Sequence, residues 1–422
     1  MKLPQNIAKP SPQSVFFFVS LTGIVLFLLI APFEHVHIFD WIAMENRAKW
    51  ETKDYFLHLF HSIHLDTCYG SAGDTVFSPF AYLLYHWLYM ASTDPSEAVD
   101  SIDQLMSMPY QAVVFLMYSL VGVMLFLFAI DLLHLSRTKK WLLASTIFFS
   151  VPFFMGGFER GNLTVHCAAI LAIALLLKDS ERHCLREAAL LLIAFSASLK
   201  IYLAAAGFVY LAERRWKEAG RLAIYGIAFF FLPFLFLGGV DGFERYFTTI
   251  TNYSANFYID RIEFIHGVLN YFRFDGPSSS AFSAGFLYLL FSLTISTKDK
   301  FRRAVFLAAI LAFIPNNAFR YALLYFSFPL FVFIKQELEP SWKSYVNAIL
   351  LGGIFTIPTI FGLLTDFQLA YGISSMTCVE VFIYVPAWLL LAFQAFLEFA
   401  DFCRKWRNAS REERTHEKDV PL

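Results

Sequence analysis

The sequence predicts an all-α protein, a polytopic transmembrane helical bundle of about twelve spans. Three observations point there. The 422 residues are 58% hydrophobic and only 16% charged, with 50 phenylalanines, whereas a soluble domain carries about 25% charge. Apolar runs of bilayer length recur along the whole chain. Lys and Arg gather in alternate gaps between those runs, as cytoplasmic loops require. The formal net charge of −1 argues against a nucleic-acid partner.

The first fourteen residues are polar and carry Lys2 and Lys9; residues 15–33 then form a first span, which places the N-terminus in the cytoplasm. No small-residue cleavage site follows, so this run is expected to stay as a span. Residues 34–110 form the longest non-spanning stretch, the first outer loop. Within it, 41–53 mixes apolar and charged residues as an interface helix does. Residues 79–90 are apolar but too short to cross, which suits a helix lying in or dipping into the membrane. Asp94, Glu97, Asp100 and Asp103 follow with no Lys or Arg among them, and this assigns the loop to the outside.

Residues 111–133 span inward to Arg137, Lys139 and Lys140, and 141–155 return outward. The turn 158–162 therefore sits outside, and 164–177 run back to Lys178-Asp179-Ser180-Glu181-Arg182. As one span, 188–211 would bury Lys200 and strand Arg214, Arg215 and Lys217 outside. As a hairpin, it lifts Lys200 to an outer tip and keeps those cations inside, and the charge bias favours this form. Its rising limb, 188–199, reaches about 18 Å against about 30 Å of hydrocarbon, so the tip lies below the surface in a protein-lined, wet cavity. The shape recurs over 304–334 and raises Arg320. Residues 222–237, 281–296, 345–364 and 379–399 complete the spans, with both termini inside and a single transmembrane domain over 1–400. Pro152, Pro233, Pro329, Pro358 and Pro386 are expected to kink their spans. Residues 401–422 are expected to be a polar, disordered cytoplasmic tail.

Two stretches carry the chemistry: Gly157-Phe158-Glu159-Arg160-Gly161-Asn162 and Lys200-Ile201-Tyr202. Ionisable groups at membrane depth cost about 2.5–3.5 kcal/mol each on insertion scales, which makes them functional candidates. The competing reading is that Glu159 and Arg160 cap a short turn in water. Arg160, Lys200 and Arg320 suit an anionic substrate group, and an outer carboxylate suits a general base. Together they fit a transfer in which a lipid phosphate leaves and a hydroxyl attacks. GxxxxGK[ST], GxGxxG and Asp-x-Asp patterns are absent, so nucleotide and nucleotide-sugar chemistry are unsupported, and no cofactor is assigned.

Asp54 and His58 stand four apart, on one face if helical, which places His58 to orient the base. His58, His61 and His64 recur every three residues, and Asp66 could add an oxygen to a zinc site there. The polar stripe of an interfacial helix is the commoner outcome, and no metal is assigned. His266, Tyr246, Tyr253, Tyr258 and Tyr271 lie in a later outer loop, where aromatics stack on sugar or prenyl chain or form an interfacial belt. Asn162-Leu163-Thr164 and Asn252-Tyr253-Ser254 match the glycosylation sequon. The five cysteines show no ligand spacing.

The order Asp54-Tyr55-Phe56, Phe77-Ser78-Pro79, Glu159-Arg160-Gly161-Asn162 and Lys200-Ile201-Tyr202, ahead of a basic inner loop, resembles glycosyltransferase family eighty-seven. That family lies within the GT-C superfamily of polytopic glycosyltransferases and includes mannosyltransferases that use polyprenol-phosphate mannose. The resemblance is best over residues 54–240. The usual Tyr-Pro-Pro reads Phe77-Ser78-Pro79 here, and no Pro follows Tyr202.

The resemblance implies a GT-C-like fold, with juxtamembrane helices on the long first loop, in the inner or plasma membrane. It implies an inverting transfer of a mannose-like hexose from a polyprenyl-phosphate donor to a glycan or glycolipid acceptor outside the cell. Asp54 matches the family's catalytic carboxylate, with Asp66 and Asp74 as alternatives. Glu159, Arg160, Asn162, Lys200, Tyr202, His266 and Arg320 are the candidate substrate- and phosphate-binding set. A transporter or flippase of lipid-linked glycans also needs basic groups in a membrane cavity, but the chain shows no internal repeat, and its long acidic loop suits catalysis better. An O-antigen polymerase or ligase shares the polytopic form but uses a diphosphate-linked lipid.

Overall fold

The computed structural model describes residues 9–30, 53–69, 75–93, 99–154, 157, 160–256, 277–313, 320–336, 338–363 and 375–418, and among them there is no strand. Helix starts follow local chemistry. Pro79 opens α3 (Pro79–Ser92) and Pro109 opens α5 (Pro109–Asp131), where a missing N–H costs nothing. Before α4 (Ile102–Ser107), Ser101 Oγ accepts from the Gln104 N–H at 3.1 Å, and Gln104 Oε1 accepts from the Asp100 N–H at 2.9 Å. Ser101 thus caps the helix, and Gln104 reaches back to the residue before the cap.

Two hairpins of one construction form the centre. From α8 (Thr164–Leu177) the chain turns into α9 (His183–Leu199), which rises to Lys200. It descends through a 3-10 segment, Ile201–Gly207, and the short α10 (Phe208–Ala212). The second hairpin rises on α14 (Lys300–Phe313) and descends through Arg320–Phe326, also 3-10, into α15 (Ser327–Lys335). A 3-10 turn rises about 2.0 Å per residue against 1.5 Å in an α-helix, so the descending limb gains reach from few residues.

The feet of both hairpins meet in one charge cluster. Lys178 pairs with Glu213 at 2.7 Å, Arg303 reaches Glu213 at 3.1 Å, and Arg215 reaches Asp179 at 3.1 Å. Lys200 is therefore at a tip, and Arg214 is back at the level of Lys178, as the hairpin reading expects. The descending limbs touch where the hydroxyls of Tyr202 and Tyr325 lie 3.0 Å apart.

Around this centre, α1 (Pro12–Ile30) runs beside α16 (Trp342–Leu363), with Tyr345 Oη donating to Pro10 O at 2.9 Å. Gly352 lets the two approach, because a Cβ there would meet Val19 Cγ1 at 2.7 Å. On α5, Val113, Met117, Val121 and Met124 are exposed while Phe115, Tyr118, Phe126 and Ala129 are buried. Both faces of that helix are apolar, which a bilayer permits and water does not. Among the described residues three helices are long and apolar enough to cross a membrane: Pro109–Asp131, Trp216–Leu235 and Tyr384–Ala409.

Several expectations change. The run 141–155 is broken at Phe149–Ser150 into α6 (Arg137–Phe148) and α7 (Val151–Phe154). Pro152 and Pro329 sit in the first turns of α7 and α15, and Pro233 lies in the 3-10 turn that ends α11 (Trp216–Phe231). A first turn needs no N–H from these positions, so these three prolines mark helix ends, whereas Pro386 lies inside α17 (Ser375–Lys418). Helix α17 also continues to Lys418, so 401–418 are helical where disorder is expected. The interface helix over 41–53 lies outside the described residues, apart from Lys53.

Candidate active site

The site begins with a glycine. Gly161 has φ +62°, and a Cβ there would lie 2.5 Å from Phe115 Cε2 and 2.7 Å from Tyr55 Cβ. The left-handed turn lets loop 160–162 lie flat on the start of α2 (Lys53–His61), where the Tyr55 N–H donates to Arg160 O at 3.1 Å. An alanine at 161 costs about 1–2 kcal/mol for the backbone conformation alone. Gly161→Ala is expected to lower the thermal midpoint and to reduce activity at temperatures where it is still folded. A thermal melt beside an activity assay checks this, and an unchanged midpoint would show that the turn is not under that constraint.

The pressed loop delivers two side chains to Asp54 in the first turn of α2. Arg160 donates from Nε to Oδ2 at 3.0 Å and from Nη2 to Oδ1 at 2.7 Å, a forked ion pair. Asn162 Nδ2 donates to the same Oδ2 at 2.8 Å and to Tyr321 Oη at 3.1 Å. Its Oδ1 accepts from the Thr164 N–H at 3.0 Å and Oγ1 at 2.7 Å, capping α8. Asn162 is buried with both amide atoms engaged, so the first sequon offers no acceptor for a glycan.

Burial pushes the Asp54 carboxyl up, but the Arg160 hydrogen bonds and charge, with the Asn162 contact, outweigh it and hold the group below its ordinary value. Burial pushes the His58 imidazole down to about 3 against the opposing pull of Asp54, so His58 is neutral at physiological pH. His58 does not bond to Asp54. Its Nδ1 lies 3.0 Å from Tyr82 Oη, and its ring lies against Phe77, tilted by 32°, with the centroids 3.8 Å apart. The expected orienting contact is thus replaced by an aromatic platform.

Lys200 sits above that platform. Its Nζ is 4.6 Å from the Phe77 centroid and 6.0 Å from that of Tyr321. Among the described residues its ammonium makes no hydrogen bond or ion pair, although Lys200 is only 8% exposed. Cation–π contact stabilises a desolvated ammonium by about 2 kcal/mol, which leaves it poised for an anion.

The fold thus brings together Asp54, His58, Arg160, Asn162 and Lys200. Tyr202 is bonded to Tyr325 instead of to this group, and it ties the hairpins. Arg320 opens the second 3-10 segment, beside Tyr321, with its side chain outside the described residues; Glu159, Asp74 and His266 lie outside them altogether. Asp66 is exposed, and its carbonyl accepts from Arg245 at 2.5 Å. Helix α2 ends at His61, so His64 leaves the expected histidine stripe, and among the described residues no group of three His, Cys, Asp or Glu side chains converges. Tyr321 and Tyr82 are the residues that sequence reasoning missed. For Tyr321 a signal existed: Arg320-Tyr321 repeats, at the second tip, the cation and nearby tyrosine of Lys200-Ile201-Tyr202.

The described bundle has apolar outer faces and carries the Asp54 carboxylate and the Lys200 ammonium near one another at one end. The sequence profile of glycosyltransferase family 87 matches residues 76–333, more than half of the chain. The chain belongs to that family and is a membrane glycosyltransferase. The matched stretch takes in Phe77, Arg160, Asn162, Lys200, Tyr202 and Arg320 and begins after Asp54 and His58. No curated protein matches the chain.

Proposed function

We propose that this glycosyltransferase moves a hexose from a polyprenyl-phosphate donor to a glycan or glycolipid acceptor on the extracytoplasmic face, with inversion. The observation that carries the reading is Lys200, a buried cation without an anionic partner, on the same residue cluster as a fixed carboxylate. A departing lipid phosphate needs positive charge, not a proton, and Lys200 with Arg320 supplies it. Asp54 takes the acceptor proton. Arg160 and Asn162 fill three of its acceptor directions, leaving one on Oδ1. A glycosyl transition state has oxocarbenium character, so a weak, well-oriented base suffices.

Incubating purified protein with labelled polyprenyl-phosphate sugars tests the donor class, because one of them should be consumed; consumption of none, with acceptor extract present, removes the reading. Lys200→Met is expected to weaken donor binding by about 1.5–3 kcal/mol, the range of a charge-assisted contact. Lys200→Arg is not expected to restore it, since a planar fork cannot take the place of a point charge above Phe77. Titration of donor against both variants measures this, and wild-type affinity in Lys200→Met would exclude Lys200 as the phosphate anchor.

In the proposed topology about twelve segments enter the membrane and both hairpin tips face outward. Cysteines placed by Lys200→Cys and Arg320→Cys should react with an impermeant maleimide from outside, and those from Arg214→Cys and Lys300→Cys should not. Labelling at 214 from outside would reverse the topology.

A further inference from the structure

The end of the bundle opposite the Asp54 cluster sorts its charges in a way that sugar transfer does not require. Several acids there pair with the bundle's own cations. Glu213 holds Lys178 and Arg303, Asp179 holds Arg215, and Glu398 and Asp401 hold Arg302 at 2.9 and 2.7 Å. The interior of this end is therefore neutralised. Outside it, Arg214, Lys217, Lys298, Lys335, Lys405 and Arg407 are exposed and form no ion pair among the described residues; the exposed acids of this end include Asp131 and Asp179, already paired with Lys140 and Arg215, and Glu181, Asp299 and Glu339.

Tryptophans stand among these cations. Trp216 is 65% exposed between Arg215 and Lys217, and Trp406 is 69% exposed between Lys405 and Arg407. Trp342, 61% exposed, carries Lys343 Nζ at 6.0 Å from its ring. Such exposure wastes apolar area in water but fits the headgroup level of a bilayer, where an indole meets both apolar and wet surroundings. From two of these points the same helices continue as apolar faces: Ile224 and Ile227 on α11, Phe396, Phe399 and Phe402 on α17.

We propose that this end of the bundle is a binding surface for anionic phospholipid headgroups. Trp216, Trp342 and Trp406 seat at the glycerol level, and Arg214, Lys217, Lys405 and Arg407 engage lipid phosphates. The occupant is lipid and not a soluble acidic partner, because each cation pair flanks an indole and the helix beyond it exposes large apolar side chains, Ile224 and Ile227 on α11 and Phe396, Phe399 and Phe402 on α17. The surface enriches anionic lipid around the enzyme and fixes its depth, independently of what the opposite end transfers.

The test uses the full-length protein in bilayers of equal phosphatidylcholine and phosphatidylglycerol, with spin-labelled versions of each lipid reporting the boundary layer. The wild type is expected to prefer phosphatidylglycerol about fivefold, roughly the worth of one well-placed cation. The preference should fall toward unity at about 1 M salt, where the screening length is near 3 Å. It should also fall in Arg214→Gln/Lys217→Gln/Lys405→Gln/Arg407→Gln and survive in the charge-retaining Arg214→Lys/Arg407→Lys. No preference in the wild type at low salt, or a full preference in the neutralised variant, overturns the proposal. Neither result bears on the donor assay, so this surface and the transfer reaction fail separately.

Discussion

Asp54→Asn is expected to lower turnover by roughly 10²-fold or more, the usual worth of a positioned base. A sugar hydroxyl is a poor nucleophile at neutral pH, and its proton must leave as the bond forms. The substitution does more than remove a basic oxygen, however. Asp54 accepts three hydrogen bonds from Arg160 and Asn162 and donates none, so an amide nitrogen there points a donor at a donor. The double variant Asp54→Asn/Arg160→Gln removes both charges together and separates loss of the base from loss of the ion pair. Single-turnover transfer and donor binding, measured on the same folded preparation, give the answer. Near-normal turnover in either variant would move the base to another carboxylate of the first outer loop.

Removing only the cation should be the largest stability loss. In Arg160→Met the Asp54 carboxylate is left desolvated with Asn162 as its remaining partner. Breaking a buried pair this way costs about 3–5 kcal/mol, and the partial exposure of both side chains favours the lower figure. The pH dependence should also change sign. In the wild type, Asp54 is held below its ordinary value of 3.8. Its contribution to stability is present in full above that value and is lost as pH falls through the lower, folded one. Without Arg160, burial is largely unopposed and the carboxyl moves up. Protonation then relieves a buried charge, so the variant should gain stability as pH falls from neutral through the raised value. Thermal midpoints between pH 4 and pH 8 test this. Parallel curves for the two proteins would mean that Asp54 is solvated once Arg160 is gone.

The order of acid, glycine turn and lysine is legible in the residues alone, and so is the hairpin that lifts Lys200. Apolar run length and the side on which Lys and Arg gather report local cost, and a bilayer charges that cost residue by residue. The family match over 76–333 agrees with the resemblance carried by Glu159-Arg160-Gly161-Asn162 and Lys200-Ile201-Tyr202.

Other features are not legible there. Helical spacing puts His58 behind Asp54, yet its ring lies on Phe77 and its nitrogen beside Tyr82. Prolines 152, 233 and 329 read as kinks in the sequence and are helix ends in the fold.

The sequence by itself determined that this is a helical membrane protein with a few ionisable groups set between apolar runs, because hydrophobicity and charge placement are sums over single residues. Only the tertiary structure decided which of those groups touch. Asp54 meets Arg160 across 106 positions of chain, and Asn162 meets Tyr321 across 159. Such pairings depend on the φ of Gly161 and on how two 3-10 limbs pack, neither of which has a period to read.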